Sequence, residues 1–311
     1  MQYLGETIAL LVSVSWTVSS VFADMAIRRL GTMNTNVIRL FMSVVVLGLV
    51  MLVAVGRPYP VYADSPTWFW LALSGIVGYV FGDWCLFNCY ESIGARFGQL
   101  LMTLAPPIAA IAGWLMLGET LSWRSLVAMF VTLCGIAISV LSKGEGHKVQ
   151  FALPVKGIIY GVGAGLGQGV GLVLSKVGLD HYAACIPADA PAAMDGMLPF
   201  ASTMIRASVG ALGLLFIIAL QKHLPGLGKA MRDGKGMGYA AILTVFGPAI
   251  GVSLSLMAVR YTSAGIASTL MGLSPVFILI PYAFIFKQKI SMRELLGVAV
   301  TMAGVFLFFL L

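Results

Sequence analysis

Charge is what this sequence has least of: Asp, Glu, Lys and Arg together make up 10% of its 311 residues, against about 25% in a soluble domain. So little charge cannot cover a soluble surface. With 59% hydrophobic residues and a mean hydropathy of +0.97, the chain is expected to be an integral membrane protein. Histidine is scarce too. His147, His181 and His223 stand apart in links, which excludes a histidine metal cluster. There is no GxxxxGK[ST] phosphate loop, no GxSxG nucleophile elbow and no HExxH zinc helix. Nothing therefore supports nucleotide hydrolysis or the common hydrolase chemistries, and neither an enzyme activity nor a cofactor is expected. The four cysteines make no disulfide framework, since Cys85, Cys89 and Cys134 lie in apolar runs and only Cys185 lies in a loop. The N-terminus lacks a positive signal-peptide region, and its apolar run continues to Arg28 and Arg29, so it is expected to be a first span. The net charge of +7 is spread over links and helix ends. That distribution sets membrane topology and implies no nucleic-acid partner.

What the chain has is apolar runs. Bounded by Gly, Pro and charge, they predict ten helices at about 5–27, 35–55, 67–91, 95–117, 122–142, 155–178, 198–220, 237–260, 264–286 and 291–311. Most links are short. The two long ones are Lys143–Pro154 and Leu179–Met197.

One stretch, Ala95–Leu141, is written twice. Shifted by 169 positions, Pro106 falls on Pro275, Ser122 on Ser291, Arg124 on Arg293, Thr132 on Thr301 and Gly135 on Gly304. Gly78 and Gly82 fall on Gly247 and Gly251 at the same offset, and Val37-Ile38-Arg39 resembles Met204-Ile205-Arg206. A duplication is expected: residues 1–142 as a first five-helix repeat, 143–154 as a linker and 155–311 as a second. Five crossings is an odd number, so the copies enter the bilayer in opposite directions. The fold class expected is an all-α membrane protein of ten transmembrane helices in two inverted five-helix repeats.

Lys and Arg concentrate in the odd-numbered links, including Arg28, Arg29, Lys143, Lys229, Arg232 and Lys235. The positive-inside rule then faces those links to the cytoplasm and both termini outward. Inverted repeats have a physical use: if the halves exchange conformations, a central cavity opens to one side and then to the other. A secondary transporter working by alternating access is the expectation, in a bacterial inner (plasma) membrane, with a small-molecule substrate and the lipid bilayer as partners, as monomer or homodimer.

The pattern A-x-x-A-x-L-x-x-L-x-P followed by L-G-E-x-L-S and a helix with T-x-x-G runs from Ala95 through Pro106 and Leu117-Gly118-Glu119-Thr120-Leu121-Ser122 to Gly135. It resembles the EamA-type transporters of the drug/metabolite transporter superfamily. The resemblance implies ten helices, cytosolic termini and export of amino acids or other metabolites. In the second copy, Lys287-Gln288-Lys289 puts Gln288 where the family's glutamate would stand.

Candidate substrate-binding residues are Trp16, Asp83, Asn88, Gln99, Thr103, Gln168 and Ser268. A charge near mid-bilayer costs about 2.5–3.5 kcal/mol on insertion scales. Asp83 is therefore either a cavity carboxylate that couples a proton or ion, or one half of a structural pair with a base such as Arg39. On a helix Asp83, Phe87, Tyr90 and Glu91 share one face, and Trp84, Asn88 and Glu91 an adjacent one. Gln99 and Thr103 lie four apart, and Ser268 is the repeat counterpart of Gln99. Gln168 sits among two glycine stripes, Gly157/161/165/169 and Gly163/167/171, which serve either close packing or room for a ligand. Trp16, amid serines and threonines, is either an aromatic wall or a packing residue. Arg39 and Arg206 either clamp an anion, pair with an acid or snorkel to the headgroups. The competing expectation is a non-transporting scaffold or receptor-like protein with a static cavity.

Overall fold

Gly31 separates the first two apolar runs. Its φ of 81° lies where a side chain would be strained, so α1 (Leu4–Leu30) ends there and α2 (Thr32–Val55) begins one residue later. The computed structural model describes residues 3–141, 154–279, 281 and 292–310. The linker 143–153 and the stretch with Gln288 lie outside the described residues.

The third apolar run is one long helix with a widened middle. It comprises α3 (Ser65–Gly75), a π-helical segment (Ile76–Asp83) and the first part of α4 (Trp84–Met102), up to Gly94, whose φ of 82° and ψ of 156° break the helix and begin the fourth run. The second half repeats this 169 residues on: α10 (Gly234–Thr244), a π-helical segment (Val245–Val252) and α11 (Ser253–Tyr261). Even the caps correspond. Asp64 accepts from the Thr67 backbone N–H at 2.9 Å, and Asp233 from that of Gly236 at 3.1 Å.

The remaining described helices are α5 (Ala105–Leu117), α6 (Trp123–Leu141), α7 (Val155–Ala184), α8 (Ala193–Leu220), α9 (Leu224–Ala230), α12 (Ala264–Met271), α13 (Ser274–Phe277) and α14 (Met292–Leu310). Among the described residues no strand occurs, and six helical stretches are long and apolar enough to cross a membrane: Leu4–Leu30, Thr32–Val55, Ser65–Gly94, Val155–Ala184, Ala193–Leu220 and Gly234–Tyr261. Shorter apolar helices accompany them.

The two halves meet reciprocally at α6 and α14. A Cβ on Gly135 would lie 2.3 Å from the Thr301 backbone nitrogen, and one on Gly304 would lie 2.5 Å from that of Thr132. Both threonines bond back to the carbonyl four residues earlier, at 2.8 Å. In lipid, helices gain little by hiding apolar surface from one another, so small residues that permit close backbone approach hold the seam.

The glycine stripes of α7 work the same way, each against a different neighbour. Gly161, Gly165 and Gly169 make room for Leu101, Leu104 and Ile108, while Gly163, Gly167 and Gly171 face Cys85, Gly82 and Gly78. Across the bundle, Glu119 ties the first repeat to the second. It pairs with Lys176 of α7 and accepts from the Ala264 N–H at 2.9 Å, capping α12.

The Asp64 cap has a pH signature. Hydrogen bonding from Thr67 holds its carboxyl at about 2, below the ordinary 3.8. A lowered folded value means the contribution is complete above the unfolded pKa and is lost as pH falls through the folded one, a window of about pH 4 to 2. Asparagine caps a helix as well as aspartate but does not titrate. Asp64→Asn is therefore expected to flatten this part of the acid loss of stability, checked by melting curves across that window.

Candidate functional site

The π-helical segments matter because wide turns interrupt regular backbone pairing and recur at functional sites. Both border a central cavity of about 120 Å³, room for several waters or a small solute. Its walls come from equivalent positions in the two halves. Asp83 and Val252, Leu86 and Ser255, Gln99 and Ser268, Met102 and Met271, and Ala105 and Ser274 all line it, each pair 169 residues apart. The cavity therefore straddles the repeat axis. In most of these pairs the two copies differ in polarity, so its surroundings are not symmetric.

Asp83, the last residue of the first π segment, is 5% exposed. Arg39 of α2 donates to one of its carboxylate oxygens, and Gln168 donates to the other at 2.6 Å. Arg39 is held in turn by Asn36, which accepts from its Nε at 2.9 Å, and by the face of Phe87, 4.7 Å from the guanidinium carbon. The structural pair that the sequence offered for Asp83 is formed, and the same carboxylate also lines the cavity.

Gln99 donates to Ser20 at 2.9 Å and to the Tyr90 hydroxyl. Trp16, one turn before Ser20 on α1, also lines the cavity, with its indole edge 2.7 Å from where a Cβ on Gly251 would be. Towards the end of α1, Phe22 approaches Tyr239 with ring centroids 6.1 Å apart, and Phe87 stacks near Tyr90 at 6.2 Å. Together with Ala26, Ile27 and Leu243 they pack an apolar plug beside the cavity.

Five of the seven sequence candidates, Trp16, Asp83, Gln99, Gln168 and Ser268, come together on this cavity. Asn88 and Thr103 do not. The 83/87/90 face of α4 looks inward, so the adjacent face looks away: Asn88 donates to the Trp84 carbonyl at 2.7 Å, and Trp84 packs on Tyr160. The face shared by Gln99 and Thr103 fails because the helix ends between them. Pro106 and Pro107 have no N–H to give the Met102 and Thr103 carbonyls, and Thr103 falls in the turn joining α4 to α5. The same break recurs 169 residues on, between α12 and α13, where Ser274 Oγ meets the Met271 carbonyl at 3.3 Å.

Sequence reasoning overlooked Tyr79, a buried wall residue whose hydroxyl has no partner. It also left open the state of Arg206, which lines the cavity at 4% exposure. The echo of Val37-Ile38-Arg39 in Met204-Ile205-Arg206 was the available signal for Arg206. No signal pointed to Tyr79, one aromatic residue in an apolar run.

A family model, that of the EamA-like transporter family, matches residues 3–141 and again residues 155–310. The uncharacterized transporter sll0355 of Synechocystis sp. is 25% identical over 83% of this chain and 76% of its own length. The uncharacterized transporter YoaV of Bacillus subtilis is 23% identical over 44% of this chain and 47% of its own. One solved structure covers 100% of this chain and 98% of its own with a TM-score of 0.70, and at 13% identity it shows the fold alone. Both named relatives are bacterial, in keeping with a multi-pass protein of the bacterial inner membrane. Two family matches that between them take in nearly the whole chain, on a helical bundle built twice around one cavity, make this a membrane transporter and not an enzyme: the chain belongs to the EamA-like transporter family.

Proposed function

We propose that the protein is a secondary transporter that carries a small polar or amphipathic metabolite, amino-acid-like or related, out of the cell by alternating access. In this view ten helices form two inverted five-helix repeats, 1–142 and 155–311, joined by the linker between them. Asp83 is the carboxylate through which a proton or ion would be coupled. The observation that carries the proposal is the cavity's position on the repeat axis, with walls drawn from equivalent residues of both halves. Two halves of opposite orientation can exchange conformations about such a point and expose it to each side in turn. Outward transport follows from the family resemblance.

The test locks one end. Phe22→Cys and Tyr239→Cys, made in a background without the native cysteines, would be crosslinked and reconstituted, and counterflow followed with a ligand first found by thermal stabilisation. Crosslinking is expected to stop flux and reduction to restore it. Undiminished flux through the locked protein would sink alternating access, and a static scaffold would show no flux in either state.

A further inference from the structure

The charged residues on the cavity wall are two arginines and one aspartate, Arg39, Arg206 and Asp83. Arg39 and Asp83 neutralise each other. Arg206 is left over. Its Nε has no hydrogen-bond partner, and among the described residues it forms no ion pair. The face of Tyr79 lies 5.0 Å from its guanidinium carbon, and the Asp83 carboxylate, already paired with Arg39, acts on it only through space. The first π segment and the residue before it clear the space for the side chain and backbone of Arg206. A Cβ on Gly78 would sit 3.1 Å from Arg206 Nη2, and one on Gly75 would sit 2.7 Å from the Arg206 carbonyl. A buried cation without a counter-charge is costly, and a wall with an excess of one positive charge is complementary to one negative charge. The Tyr79 hydroxyl, also buried and unpartnered, adds a donor beside it. Carboxylates only accept, and guanidinium–carboxylate bonds are strong and directional. The rest of the wall is largely apolar, including Trp16, Leu86, Met102, Leu172 and Met271.

We infer that Arg206 is the anion anchor of this cavity and that the ligand is a small organic monocarboxylate with an apolar or aromatic body. The inference rests on the transporter reading above and narrows its substrate class. One excess charge matches a monoanion better than a phosphate dianion, and the apolar wall matches a hydrophobic body.

Matched pairs test it on the purified full-length chain: benzoate against benzamide, and phenylacetate against phenylacetamide, with benzylammonium and inorganic phosphate as further probes. The carboxylates are expected to bind and raise the Tm, and the amides, the cation and phosphate to do so far less. Arg206→Gln is expected to weaken carboxylate binding by about 10- to 100-fold, and Arg206→Lys, which keeps the charge without the fork, to weaken it less. Without ligand, Arg206→Gln is expected to melt no lower than wild type, because an uncompensated buried charge has gone. Amides that bind as well as the acids, no binding by any acid, equal losses in both variants, or an unliganded Arg206→Gln several degrees less stable would each overturn the inference. Counterflow separates the two claims. Carboxylates that bind without crossing would remove the transport reading and leave the anion site, whereas flux of benzylammonium in preference to benzoate would do the reverse.

Discussion

Arg39→Leu is expected to be among the most damaging single substitutions in this protein, at a cost of about 3–5 kcal/mol. The Asp83 side chain is 7% exposed and that of Arg39 6%, so bulk water cannot take over the lost contact, and the few waters the cavity holds room for offset it only in part. Gln168 would remain, but an amide donor does not neutralise a carboxylate. Taking both charges away is a different matter, because most of the single-variant cost is the charge left alone. The double variant Arg39→Leu/Asp83→Leu is expected to regain most of the loss, since buried pairs replaced by packed apolar groups are often neutral in stability. Thermal unfolding of wild type, both single variants and the double variant forms a complete cycle. A double variant as unstable as Arg39→Leu would show that Arg39 acts through packing on Phe87 and Tyr79 and not through the ion pair. Regained stability without regained transport would mark the pair as part of the working cavity.

Gly167→Ala comes second in expected effect. Alanine in place of glycine inside a helix ordinarily gains up to about 1 kcal/mol. Here the new Cβ would lie 2.4 Å from the Gly82 Cα and 2.9 Å from both the Gly82 nitrogen and the Val77 carbonyl oxygen. All three are backbone atoms, so no rotamer change relieves the contact, and α7 must move away from the π segment. Overpacking of this kind costs about 1–3 kcal/mol, which exceeds the propensity gain. The displaced helix carries Gln168, so the bond to Asp83 is expected to lengthen and transport to fall with stability. Gly196→Ala is the control. Nothing lies within 4 Å of its would-be Cβ, and it is expected to raise stability by about 0.4–1 kcal/mol. Melting temperatures of the two variants should therefore move in opposite directions. A Gly167→Ala protein as stable as wild type would remove the close-packing account of this stripe.

Much of the architecture was legible because it repeats. An offset of 169 read from Pro106 and Pro275 also relates the caps Asp64 and Asp233, the two π segments and the two helix breaks. Helix spacing in α7 correctly separated two glycine stripes, because each stripe faces a different neighbour. Asp83 with Arg39 was legible for a different reason: a charge in an apolar run must find a partner, and few bases were in reach. Asn88 and Thr103 lie off the cavity for different reasons: Asn88 sits on the face beside that of Asp83, Phe87 and Tyr90, and Thr103 falls where the proline break ends the helix. Hydropathy marks neither which face turns inward nor where a helix stops.

By itself, then, the sequence determined the medium, the repeat and the residues too polar to face lipid. Composition decides solvent, and internal identity reports duplication whatever the packing. Tertiary structure alone decided which of those polar residues meet. It paired Asp83 with Arg39, left Arg206 unpartnered on the cavity wall, and used Glu119 to cap a helix of the opposite half. Each depends on side chains more than 40 positions apart in the chain, brought together by helix packing that local periodicity does not encode.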